Sequence, residues 1–101
     1  MKLPSGRFCL IRDKFVTDEG HLVIEAHVWN DEADHKTHPD SPRAAHDHRW
    51  IPPVNVSAER IARIIDGAPD AIDVRRDHKR GTVDTHGYLA HPDVLALEVV
   101  V

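Results

Sequence analysis

The stretch His21-Leu22-Val23-Ile24-Glu25-Ala26-His27-Val28-Trp29 decides how the rest of the 101-residue chain is read. Successive side chains of a strand point to opposite sides. Leu22, Ile24, Ala26 and Val28 therefore share one face, and His21, Val23, Glu25, His27 and Trp29 share the other. One face is built for a core and the other is half polar. Just upstream, Asp18-Glu19-Gly20 has the composition of a tight turn with glycine at a positive φ, and apolar and β-branched residues flank it on both sides. Residues 7–29 are thus predicted to form a β-hairpin.

Working outward, residues 30–53 hold four of the seven prolines (Pro39, Pro42, Pro52 and Pro53) among Asp, His, Lys and Arg with no sustained period. They read as a long polar loop, and long loops in small domains are where function concentrates. Beyond it, Ala58, Ile61, Ala62, Ile64 and Ile65 make one apolar helical stripe; Ser57 stands as N-cap, Gly67 as the stop and Pro69 beyond. A helix over 58–66 follows. After it, three strands are expected at about 71–78, 82–89 and 94–101, separated by Lys79-Arg80-Gly81 and Ala90-His91-Pro92-Asp93. The last should be central or covered by a second subunit, since both its faces are apolar. The expected fold is α+β: one domain over residues 1–101 with about five mostly antiparallel strands in the order β-β-loop-α-β-β-β, one short helix across a face, and a β-grasp-like arrangement as one topology.

Composition bounds the rest. A hydrophobic share of 41% and a charged share of 30% suit a folded globular domain. No secretory signal and no membrane-length apolar run is visible, so a soluble, cytoplasmic protein is expected. With Cys9 the only cysteine, an internal disulfide and multi-thiolate zinc sites are excluded, and Cys9 among Phe8, Leu10 and Ile11 reads as a small core residue. The formal charge of -4 argues against sequence-independent nucleic-acid binding, although nine histidines could reverse its sign below neutrality.

The densest chemistry lies in Asp34-His35-Lys36-Thr37-His38-Pro39-Asp40 and His46-Asp47-His48. Imidazoles bind zinc or another transition metal, and neighbouring carboxylates can orient them, so His35, His38, His46 and His48 are the candidate metal ligands. If 46–48 is extended, His46 and His48 point to the same side. The competing reading is a solvated loop that happens to contain histidines. Asp34-His35 with His38-Pro39 resembles the start of the HNH nuclease motif, but helix 58–66 lacks the histidine that pattern requires after Asn55, and no family is assigned.

Glu25, His27 and His21 share a strand face, and Thr82, Asp84 and His86 alternate along another; both patterns also suit an ordinary polar sheet face. The basic run Arg75, Arg76, Lys79, Arg80 could approach phosphates or simply protect an exposed edge, and Trp50 could anchor a partner or pin the loop to the core. Phosphate-cradling glycine loops, a nucleophile elbow and a Cys-x-x-Cys pair do not occur. The sequence therefore points first to a small non-catalytic binding or accessory protein. It would act through the 30–50 loop and the adjacent sheet surface, on a partner protein or a second copy of itself. The alternatives are a metal-dependent hydrolase or metal binder, and nucleic-acid contact through residues 75–80.

Overall fold

The computed structural model describes residues 1–50, 56–67 and 78–100, with Trp50 by its backbone alone. Strand β1 (Phe8–Val16) and strand β2 (Leu22–Trp29) form the expected hairpin, and Gly20 adopts φ 82° in the turn. Leu22, Ile24, Ala26 and Val28 are all fully buried, as the alternation requires.

Of the segment 30–53, residues 51–53 lie outside the described residues, and 30–50 is not one loop. Helix α1 (Glu32–Thr37) starts at Asp31, whose carboxylate accepts the Asp34 amide at 2.7 Å. Strand β3 (Ala44–Trp50) then pairs antiparallel with β2, giving a three-stranded sheet in the order β1-β2-β3. The alternation of β3 is disguised because both of its faces carry ionisable residues. Helix α2 (Ala58–Asp66) matches its expected bounds, with the Arg60 amide donating to Ser57 Oγ at 3.1 Å and Ile61 and Ile65 fully buried. It packs on the face of β2 that carries Leu22 and Ile24, together with Leu3, Val56, Tyr88, Val94 and Leu97.

The C-terminal part departs from expectation. Of the strand expected at 71–78, residues 71–77 lie outside the described residues, and His78 is not in a strand. The region 82–89 holds bends and the start of a 3₁₀ turn at Tyr88–Ala90 instead of a strand. In place of a strand from 94, helix α3 (Pro92–Leu95) begins with Pro92 in its first turn, His91 Nδ1 accepts the Asp93 amide at 3.2 Å, and Lys14 Nζ donates to the Val94 and Leu97 carbonyls at 2.8 and 2.9 Å. Start and stop groups of a helix thus outweigh an apolar alternation that is only eight residues long. The sheet of the described residues is therefore three-stranded, and neither a five-stranded nor a β-grasp-like arrangement is seen among them.

Instead of adding strands, the two ends of the chain close the outer edge of β1. Lys2 bridges Phe8, Val99 runs parallel beside Ile11, and Arg80 bridges Thr17. Lys79-Arg80-Gly81, expected as a hairpin turn, is thus a short extended segment whose Gly81 amide donates to the Val16 carbonyl at 2.7 Å. A Cβ on Gly81 would stand 2.4 Å from the Thr17 carbonyl oxygen, so only glycine fits so close to the strand. None of the helices in the described residues is long and apolar enough to cross a membrane.

Candidate functional site

The register of the sheet sorts its ionisable residues onto two faces. Glu25 of β2 pairs with Asp13 of β1 on one side and with Asp47 of β3 on the other, so three carboxylates form one rung on the face away from α2. Like charges placed opposite one another repel, and such a rung persists only with cations or proton donors against it. Arg80 pairs with Asp13 and lies over the Phe15 ring at 4.2 Å. His78 Nε2 stands 3.7 Å from Asp47 Oδ2, with both side chains largely buried. His27 Nε2 stands 3.2 Å from Glu25 Oε1.

This outer face is covered at both ends and open in the middle. At one end α1 lies against it: His35 stacks on Phe8 at 4.8 Å between ring centroids and meets Trp29 edge-on at 4.6 Å, while Trp29 Nε1 donates to the His38 carbonyl at 2.7 Å. At the other, His78 and Arg80 reach over Phe15, and Val23, next to it on this face, has no exposure. Between them, the Glu25 and His27 side chains remain 41% and 25% exposed.

On the opposite face, His46 and His48 pair with Ala26 and Ile24 of the core. Their rings are 5.5 Å apart, and His46 is only 6% exposed. The Nε2 of His48 is buried and makes no hydrogen bond among the described residues. Burial, then the neighbouring His46, lowers the His48 pKa to about 4, which keeps this imidazole neutral at pH 7.

The four histidines singled out in the sequence are therefore not gathered. His46 and His48 meet on the core face, as an extended 46–48 predicts; His35 lies in α1 and His38 caps its C-terminus, and the His35 ring is engaged by Phe8 and Trp29 of the other face. Among the described residues there is no group of three or more His, Cys, Asp or Glu side chains placed to hold one metal ion. Arg75 and Arg76 lie outside the described residues, as does the Trp50 side chain. Lys79 stands 3.9 Å from Asp18, and Arg80 is engaged by Asp13 and Phe15. Asp84 is used locally, accepting the Leu89 amide at 2.6 Å. Cys9 is fully buried, and burial pushes its thiol up to about 11. A cleft of about 590 Å³ lies between the hairpin turn and residues 79–85, with Asp18, Glu19, Lys79 and Arg80 in its walls.

Sequence reasoning did not place Asp13, Asp47 and His78 on the outer face; it took Asp47 only as a carboxylate beside His46 and His48. Asp47 could have been found from the alternation of β3 once 44–50 is taken as a strand. Asp13 could not, because a bulge between Ile11 and Asp13 transfers it to the outer face. Compared with known proteins, the chain matches no family model, no curated protein and no solved structure.

Proposed function

We infer that the protein is a small non-catalytic binding protein whose contact surface is the open middle of the outer sheet face, flanked by α1 and β3 of the 30–50 segment. The observation that supports this most is the state of Glu25. It is the central carboxylate of the rung, its side chain is 41% exposed, and among the described residues its partner is the His27 imidazole. The flanking carboxylates face the fold's own Arg80 and His78. Glu25 retains acceptor capacity toward solvent, where an arginine or lysine of a partner can be received in bidentate or single fashion. The formal charge of -4 favours a basic partner through long-range attraction.

The test is a nuclear magnetic resonance titration with an oligoarginine peptide at low and high salt, for the wild type and for Glu25→Gln. Shifts centred on the amides of Glu25, His27 and Asp47, weakened by salt and by the substitution, are expected. Shifts elsewhere, or shifts unchanged in Glu25→Gln, overturn the reading. Light scattering on the protein alone covers the remaining occupant: a dimer dissolved by Glu25→Gln assigns the face to a second copy and overturns the foreign partner.

A further inference from the structure

The core face carries a feature that the outer-face reading leaves unused. His46 and His48 alternate on one edge of the apolar layer, opposite Ala26 and Ile24, where hydrocarbon side chains would pack at lower cost than imidazoles. Their ring centroids are 5.5 Å apart. Two imidazoles bound to one tetrahedral ion have nitrogens about 2.0–2.1 Å from it, which sets their centroids roughly 5 Å apart. The pair thus stands close to the spacing a shared ion demands, on one strand. The buried Nε2 of His48 has no hydrogen-bond partner among the described residues, and such an atom can accept an ion.

We propose that His46 and His48 form a two-histidine site for a divalent transition-metal ion of the zinc class. No third side chain of the ligating types joins them among the described residues. His35 and His38 take no part. Two imidazoles from one strand make the site selective for borderline metals over magnesium or calcium, which require oxygen donors.

Zinc chloride titrated into untagged, chelator-treated protein provides the test, with binding followed by calorimetry and the imidazole nitrogens by long-range nitrogen–proton spectra. The expected result is binding of one equivalent, movement of the His46 and His48 ring signals, and at least a tenfold loss of affinity in His46→Gln and in His48→Gln, while His35→Gln and His38→Gln bind as the wild type does. Absence of binding overturns the proposal, as does binding that survives in the double variant or that moves only other imidazoles. The wild-type spectra decide the matter even if a core substitution fails to fold. The peptide titration of the outer face is independent of this outcome.

Discussion

The two faces of the three-stranded sheet are made from the same strands by strict alternation, and they solve opposite problems. The core face buries Cys9, Ile11, Leu22, Ile24, Ala26, Val28 and Ala44 beneath α2, α3 and the Tyr88 turn, and its energy is that of apolar area removed from water. The outer face sets three carboxylates in a row, pairs Asp13 with Arg80, brings His78 to 3.7 Å from Asp47, and leaves Glu25 and His27 facing solvent. Stability should therefore reside on the first face, and recognition is proposed for the second. Neighbours one residue apart in β2 separate the two roles.

The comparison breaks most sharply at Ile24 and Glu25. Ile24→Ala empties a fully buried position and is expected to cost about 2–5 kcal/mol. Glu25→Ala removes a partly exposed contact with the His27 imidazole and should cost less than about 1 kcal/mol. Urea denaturation of the two variants measures both. Equal losses would mean that the outer rung is a structural element as essential as the core.

How far this division was readable follows from the same strands. The alternation of β2 announced its core face, and the Ser57 and Gly67 signals placed α2 to the residue, because each depends on local chemistry. The outer rung was readable only in part: Glu25 follows from the alternation of β2, and Asp47 from that of β3 once 44–50 is taken as a strand. Asp13 joins it only because the bulge at Arg12 reverses the parity of β1, which also moves Lys14 to the core side, where it caps the carbonyls at the end of α3. His78 joins it by a contact across 31 positions of chain, from Asp47, that no local pattern encodes. The C-terminal segments misled for a different reason: 94–101 alternates like a strand, but Pro92 and His91 supply a helix start that decides the backbone first.

A second contrast concerns protons. On the core face the Cys9 thiol is held neutral by burial, with its pKa raised from 9.0 to about 11. Because the folded value lies above the unfolded one, the associated stability is complete below pH 9 and is lost as the pH rises toward 11; the full shift corresponds to about 3 kcal/mol. Lysines and the tyrosine titrate in the same range, so the informative quantity is the stability of the wild type minus that of Cys9→Ala. That difference should shrink steadily between pH 9 and 11. A constant difference would show that the thiol is open to solvent and that the core face is looser than its packing indicates.

The smallest effect lies at the margin of the outer face, where Arg43 donates to both Asp34 oxygens, from Nε at 3.0 Å and from Nη2 at 2.8 Å. These hydrogen bonds, with one from the Asn30 amide, hold the Asp34 carboxyl below its usual value of 3.8. A depressed carboxylate pKa stabilises the fold above the unfolded value and ceases to do so as the pH falls through the folded one. Arg43→Ala should therefore move the Asp34 titration, followed by carboxyl carbon shifts, upward toward 3.8, with little change in stability at pH 7. Asp34 also receives the Asn30 amide at 3.1 Å ahead of α1, so the link from β3 through Arg43 to the start of α1 sets how firmly that helix covers Trp29 and Phe8. If the substitution shifts Asp34 but leaves the ring contacts of His35 intact, the aromatic stack alone holds α1, and the ion pair serves only to tune its margin. Loss of the stack along with the ion pair would make the covered end of the outer face depend on charge, and the distinction between its closed ends and its open middle would then be one of salt and pH.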